Sequence, residues 1–160
     1  MAVIEQRYSK SGATSWRVKI RIKNKPTVSK TFKRRTDAKH WASQTETSIF
    51  EGKYFRYIES KRTELRDVIG RYAEDALEQL KDPYTRIQHL AYWEQKLGDV
   101  LLADIRPSLI LEVRAEIRRS RSNSTANRYV ATLSALLGYV TKELQLIESN
   151  PCLLIKKLKE

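Results

Sequence analysis

The alternation of apolar and polar positions changes character once along the chain. Residues 15–23, Ser-Trp-Arg-Val-Lys-Ile-Arg-Ile-Lys, alternate without a break, the period of a strand with one buried face. Trp16, Val18, Ile20 and Ile22 point one way; Arg17, Lys19, Arg21 and Lys23 point the other. A strand around Val3–Tyr8 precedes it through a Ser9–Thr14 turn containing Gly12, and one around Val28–Phe32 follows through Asn24-Lys25-Pro26. Three such strands make an antiparallel sheet that needs a cover. Thr36 suits a helix N-cap, Asp37 its first turn and Gly52 its stop. Between them Ala38, Trp41, Ala42, Thr45 and Ile49 recur at helical spacing, a stripe that can close the apolar face of the sheet.

Residues 53–62 show no clean period and read as a linker anchored by aromatics. From Thr63 onward the pattern is helical. A first helix, about Glu64–Leu80, carries Leu65, Val68, Ile69, Tyr72, Ala76 and Leu80 on one face. Asp82-Pro83 starts a second, with Tyr84, Ile87, Leu90, Ala91 and Leu97 as its stripe and Gly98 as its end. After a connector at Asp99–Ile105, Arg106-Pro107 opens a third with Leu109, Ile110, Val113 and Ile117 inward, broken at Ser120–Ser122. The fourth, about Asn123–Glu143, turns Ala126, Val130, Leu133, Leu137 and Val140 inward. Asn150-Pro151 reads as a helix stop, and the tail Lys156–Glu160 lacks any pattern that would order it. The expected class is α+β. A sheet-plus-helix domain occupies 1–52, a linker 53–62, an all-α four-helix domain 63–155 and a tail 156–160.

Charge changes this picture by its distribution. The chain has 31 Lys and Arg against 19 Asp and Glu, a net of +12. Residues 1–62 hold 16 against 5, or +11, and residues 63–160 hold 15 against 14, or +1. Within the second part, residues 63–104 carry −4 and 105–160 carry +5, so the near-neutral total hides a positive half. Such density of cations calls for a polyanion, and each phosphate contact releases a condensed counterion. An anionic membrane would ask for a basic amphipathic helix, which the basic segment does not resemble. No apolar run approaches the roughly 20 residues of a membrane span, and Met1–Gln6 lacks a signal-peptide layout. The lone Cys152 cannot form an internal disulfide, which fits a reducing cytoplasm.

Three constellations are candidates for contact with duplex DNA. The first is the Arg17, Lys19, Arg21 and Lys23 ladder, with Lys30, Lys33, Arg34 and Arg35 nearby. Four cations on alternate positions span about 20 Å at ~3.3 Å per residue, and a small sheet of that size fits a major groove. This face carries no acid, whereas solvated faces usually mix signs. The second is Arg114, Arg118 and Arg121 at i, i+4 and i+7, with Arg119 beside them; Glu112 and Glu116 are close enough to make this a salt-bridged surface instead. The third is Thr125, Arg128 and Thr132 on the fourth helix, flanked by Asn127, residue types that suit a helix laid on a phosphate backbone. His40 and His89 read as partly exposed helix residues without a metal-ligand partner. No phosphate loop, nucleophile elbow or His-Glu-x-x-His motif is present. No cofactor and no metal are expected.

Two runs carry a family resemblance. Ser-Trp-Arg-Val-Lys-Ile-Arg, with the later Ser-Lys-Thr-Phe-Lys-Arg-Arg-Thr-Asp-Ala-Lys-His-Trp-Ala, resembles the arm-binding domain of phage-type tyrosine integrases. Leu-Gly-Asp-Val-Leu-Leu-Ala-Asp-Ile-Arg-Pro, then Ser-Thr-Ala-Asn-Arg-Tyr-Val-Ala-Thr-Leu-Ser-Ala-Leu-Leu and Leu-Ile-Glu-Ser-Asn-Pro, resemble the four-helix, SAM-like core-binding domain of that family. The resemblance implies a sheet that grips arm-type attachment sites through Arg17, Lys19, Arg21 and Lys23. It implies a helical domain that sits on the core site through Thr125, Asn127 and Arg128. It further implies other protomers on the same DNA, a bacterial cytoplasmic setting and a role in DNA integration. The family's Arg…His-x-x-Arg…Tyr set is not found among the 160 residues, so the chain is expected to bind DNA without cutting it. The tail is then the start of a linker to a catalytic domain. A DNA-binding regulator of excisionase or repressor type is the alternative, and an RNA-binding module is a third class.

Overall fold

A computed structural model describes residues 1–9, 12–77 and 83–160. The chain divides into two compact units, Met1–Phe55 and Arg56–Glu160.

The first unit is a sheet with a helical cover. Strands β1 (Ala2–Tyr8), β2 (Thr14–Ile20) and β3 (Val28–Phe32) lie in the order β1-β2-β3, antiparallel throughout. The β1–β2 turn closes through Ser9 and Gly12; Lys10 and Ser11, part of the expected turn, lie outside the described residues. Helix α1 (Arg35–Phe50) covers the face made by Val18 and Ile20, burying Ala38, Ala42, Thr45 and Ile49. Trp41 packs on Phe32 at 5.4 Å between ring centroids. The expected apolar stripe is therefore the buried one, but the helix begins earlier than expected. Arg34 holds the N-cap position without a side-chain cap, and Thr36 lies inside the first turn. Gly52, at φ 73°, follows α1 in the left-handed conformation that stops a helix.

Residues 53–62, read as an aperiodic linker, instead contain helix α2 (Lys53–Ser60). Eight residues are too few for a period to emerge from a run this rich in aromatics. Tyr54 and Phe55 pack against the core of the first unit.

The second unit is a four-helix domain of α3 (Leu65–Tyr72), α4 (Tyr84–Leu97), α5 (Pro107–Ser120) and α6 (Asn123–Lys142). The fold class is α+β, as expected. A capping box opens α3, with Glu64 N–H donating to Asp67 Oδ2 at 3.0 Å. Helix α3 then loosens into a π-type turn at Ala73–Leu77, within the helix expected over Glu64–Leu80. Leu80 and the expected Asp82 helix start lie outside the described residues. Gly98 ends α4 at a close approach: a Cβ there would meet the Glu94 carbonyl oxygen at 2.4 Å.

The core joins Leu65, Val68, Ile69 and Tyr72 to Trp93, Leu90 and Leu97, to Ile110, Val113 and Ile117, and to Ala126, Leu133, Leu137 and Val140. The stripes of α3, α5 and α6 face inward as their spacing requires, and α6 also buries Tyr129 and Leu136. Helix α4 is rotated from expectation. Tyr84, Ile87 and Ala91 are exposed, whereas His89 and Trp93 turn inward with Leu90 and Leu97. The pull is Trp93, fully enclosed, whose Nε1–H donates to the Tyr129 carbonyl at 2.9 Å. That bond satisfies the one polar atom of the largest core side chain.

Asn150 does more than stop a helix. Its Nδ2 donates to the Ser134 carbonyl at 2.8 Å, while Oδ1 accepts from Cys152 N–H at 3.0 Å and caps the turn Pro151–Leu154. The tail is ordered against α5 and α6. Asn127 exchanges two hydrogen bonds with the Leu158 backbone, at 2.9 and 3.0 Å. Arg114 donates to the Lys156 carbonyl and Asn123 to that of Lys159, both at 2.8 Å. Backbone groups bonded by side chains need no apolar pattern, which is why sequence periodicity gave no sign of this strap.

Candidate nucleic-acid interface

Strand parity separates the sheet into two faces. The open face carries Arg17 and Lys19 from β2, Ser29 and Thr31 from β3, and Val3, Glu5 and Arg7 from β1. The face expected to be free of acid thus receives one from its neighbour. Glu5 stands opposite Arg17, and its carboxylate lies 3.5 Å from Lys19 Nζ and 3.7 Å from Arg7. Register alone brings it there. Arg21 and Lys23 lie beyond the end of β2 in the following loop, so the four-cation strand ladder is two cations long. Lys30 falls on the other face, paired with Val18, and its ammonium sits over Phe32 and Trp41 at 5.4 and 5.9 Å. Lys33, Arg34 and Arg35 are exposed where β3 runs into α1, with the Arg35 guanidinium 5.2 Å from the Trp16 ring centre.

In the helical unit the arginines gather at the α5–α6 turn. Arg118, Arg119, Arg121 and Arg128 are all exposed. The anticipated competitor was a salt-bridged surface, and the geometry argues against it. Glu116 is drawn across to Lys96 of α4 at 2.5 Å, and that contact holds its carboxyl below the ordinary range. Among the described residues none of the four arginines is in an ion pair. Arg118 Nε donates to Asn123 Oδ1 at 3.0 Å, and Arg121 lies 5.7 Å from the Tyr129 ring centre. Arg114 is half-buried on the strap, where burial and then Arg118 lower its pKa.

The polar set expected on α6 is split by the structure. Thr125 serves the helix start, its N–H donating to the Ser122 N-cap oxygen at 3.2 Å. Asn127 is engaged by the strap and also donates to Glu160 Oε1 at 2.8 Å. Thr132 is buried, 6% exposed. Its hydroxyl donates to the Arg128 carbonyl at 3.1 Å and meets His89 Nδ1 at 2.9 Å. His89, expected to be partly exposed, is 8% exposed and stacks on Tyr129 at 3.9 Å. Sequence spacing overlooked this pair because the buried face of α4 was placed one side too far round.

Other reactive side chains are held in unreactive states. Burial pushes the Cys152 thiol up to about 12, and a hydrogen bond donated to Asp75 raises the Tyr139 phenol to about 12. Among the described residues no group of His, Cys, Asp and Glu could hold a metal ion. No helix among them is long and apolar enough to cross a membrane.

The family model for the phage integrase N-terminal domain matches residues 61–159. Neither a curated protein nor a solved structure matches the chain. The match covers the four helices, the α5–α6 turn and the strap, a domain with a role in integrase-type DNA binding and recombination. The chain belongs to the phage integrase N-terminal domain family.

Proposed function

We propose that the chain is the DNA-gripping part of a tyrosine-type integrase and holds duplex DNA through two separate surfaces. The helical unit takes the core site through Arg118, Arg119, Arg121 and Arg128, with Thr125 and Asn127 beside them. The sheet unit takes arm-type sites through Arg17 and Lys19, the loop cations Arg21 and Lys23, and Lys33, Arg34 and Arg35. On this reading strand exchange itself belongs to a catalytic domain beyond these residues, and the chain alone binds DNA without cutting it.

The observation that carries the reading is the set of four exposed arginines at one helix turn with no carboxylate partner among the described residues. Unpaired guanidiniums at that density are held apart at an electrostatic cost that phosphates relieve. Selection of bound sequences from random duplex DNA tests it. The full chain should enrich two distinct motifs. The variant R17A/K19A/R21A should lose one, and R118A/R119A/R121A the other. A single motif that survives both variants would contradict the two-surface reading.

A further inference from the structure

Between α4 and α6 lies an open hollow of about 350 Å³, walled by Thr85, Arg86, His89, Arg128, Ala131 and Thr132. Two arginines, one from each helix, line it, and Thr85 and Arg86 belong to the first turn of α4. Arg86 spends one donor on the Tyr72 hydroxyl at 3.2 Å, which leaves most of its fork unspent among the described residues.

The hydrogen bonds fix the state of His89. Thr132 donates its only hydroxyl proton to the Arg128 carbonyl, so the contact at His89 Nδ1 requires the ring to donate there. Neutral His89 therefore carries its lone pair on Nε2, which has no hydrogen-bond partner among the described residues. Burial first, then the charges of Arg121 and Arg128, hold its pKa below the ordinary value. The groups facing it are Arg86 from α4, Arg121 from the α5–α6 turn, and Arg128 and the phenol of Tyr129 from α6. Among the described residues all the charged ones are positive.

We propose that this hollow is a seat for one phosphate of the DNA backbone, clasped by Arg86 and Arg128, and that His89 takes up a proton when the phosphate arrives. The proposal rests on the DNA-binding reading above and adds Thr85, Arg86 and His89 to its contacts. A phosphodiester, with one negative charge, offsets part of the field of the two arginines, and Nε2 changes from acceptor to donor toward an anionic oxygen. The sign follows. The free protein holds His89 neutral at pH 7, the complex favours the imidazolium, and DNA affinity at this seat rises as pH falls from neutrality. It levels off once His89 is protonated in the free protein as well.

Nuclear magnetic resonance of the full chain tests this by following the His89 ring across pH when free, with saturating duplex DNA, and with millimolar inorganic phosphate. The expected result is a rise of about one unit in the His89 midpoint with DNA, equivalent to roughly tenfold coupling between proton and DNA. Arg86→Ala should remove that rise and weaken DNA binding by about tenfold. An unmoved midpoint in a chain that DNA saturates overturns the seat while leaving the two-surface reading intact. A response to inorganic phosphate but not to DNA overturns the assignment to DNA. A chain that binds no duplex at all overturns both proposals.

Discussion

In the sheet unit, Arg17 and Lys19 stand on a strand whose neighbour supplies Glu5, 3.5 Å from Lys19 Nζ. In the helical unit, Arg118, Arg119 and Arg121 stand at a helix end whose acidic neighbour, Glu116, has been drawn off by Lys96. The segment with a net of +11 therefore shows a partly paired face, and the segment with +1 shows a corner whose arginines form no ion pair among the described residues. Net charge measures how strongly a region attracts a polyanion at a distance. Pairing in the fold decides which cations are free to touch one. The contrast extends to stability: among the described residues the sheet unit encloses Val18, Ile20, Ala38, Ala42 and Ile49 with Thr45, whereas the helical core draws on all four helices.

The largest expected effect follows from that second contrast. Trp93→Ala removes a fully enclosed indole and its hydrogen bond and should cost the helical unit about 3–5 kcal/mol. Urea unfolding followed by fluorescence of Trp16 and Trp41 should leave the transition of the sheet unit in place. Loss of both transitions together would mean that the two units do not unfold separately.

Next in size is the triple charge variant on the sheet. R17A/K19A/R21A should weaken binding to arm-type DNA by about 100-fold at moderate salt, since about three phosphate contacts go. Circular dichroism should be unchanged, because these side chains lie on the open face or in the loop. Equal affinity in the variant and the parent chain would take that face out of the account.

The smallest effect is the most pointed. Glu5→Gln removes the one carboxylate that the sheet sets among its cations and should strengthen DNA binding by about two- to fivefold, the worth of an exposed pair. Binding left unchanged would mean that Glu5 does not compete with phosphate for Lys19.

Much of this was legible from the residues, and the failures share a cause. The parity of β2 was plain, because alternation from Trp16 to Lys23 admits one strand reading. What stands opposite it was not, because register with β1 depends on a turn, and a shift by one residue would have sent Glu5 to the other face. The stripes of α5 and α6 were plain for a similar reason: their apolar residues occupy one side. Helix α4 has apolar or aromatic residues on several sides, Tyr84, Ile87, Ala91, Tyr92 and Trp93 among them, so its period could not select the buried face. Packing selected it through Trp93, and with it the burial of His89 and Thr132. The strap escaped notice because Asn123, Asn127 and Arg114 order it through backbone carbonyls, which every sequence has.

The salt dependence of binding tests the central claim most directly, since its slope counts phosphate contacts regardless of sequence. Affinity of the full chain for one duplex carrying both selected motifs should be measured from low to moderate salt, beside R17A/K19A/R21A and R118A/R119A/R121A. The account predicts that each triple variant flattens the slope of log affinity against log salt by about 2–3, and that the helical variant does so as fully as the sheet variant. A helical variant with the slope of the parent chain would show that the arginine corner does not touch DNA.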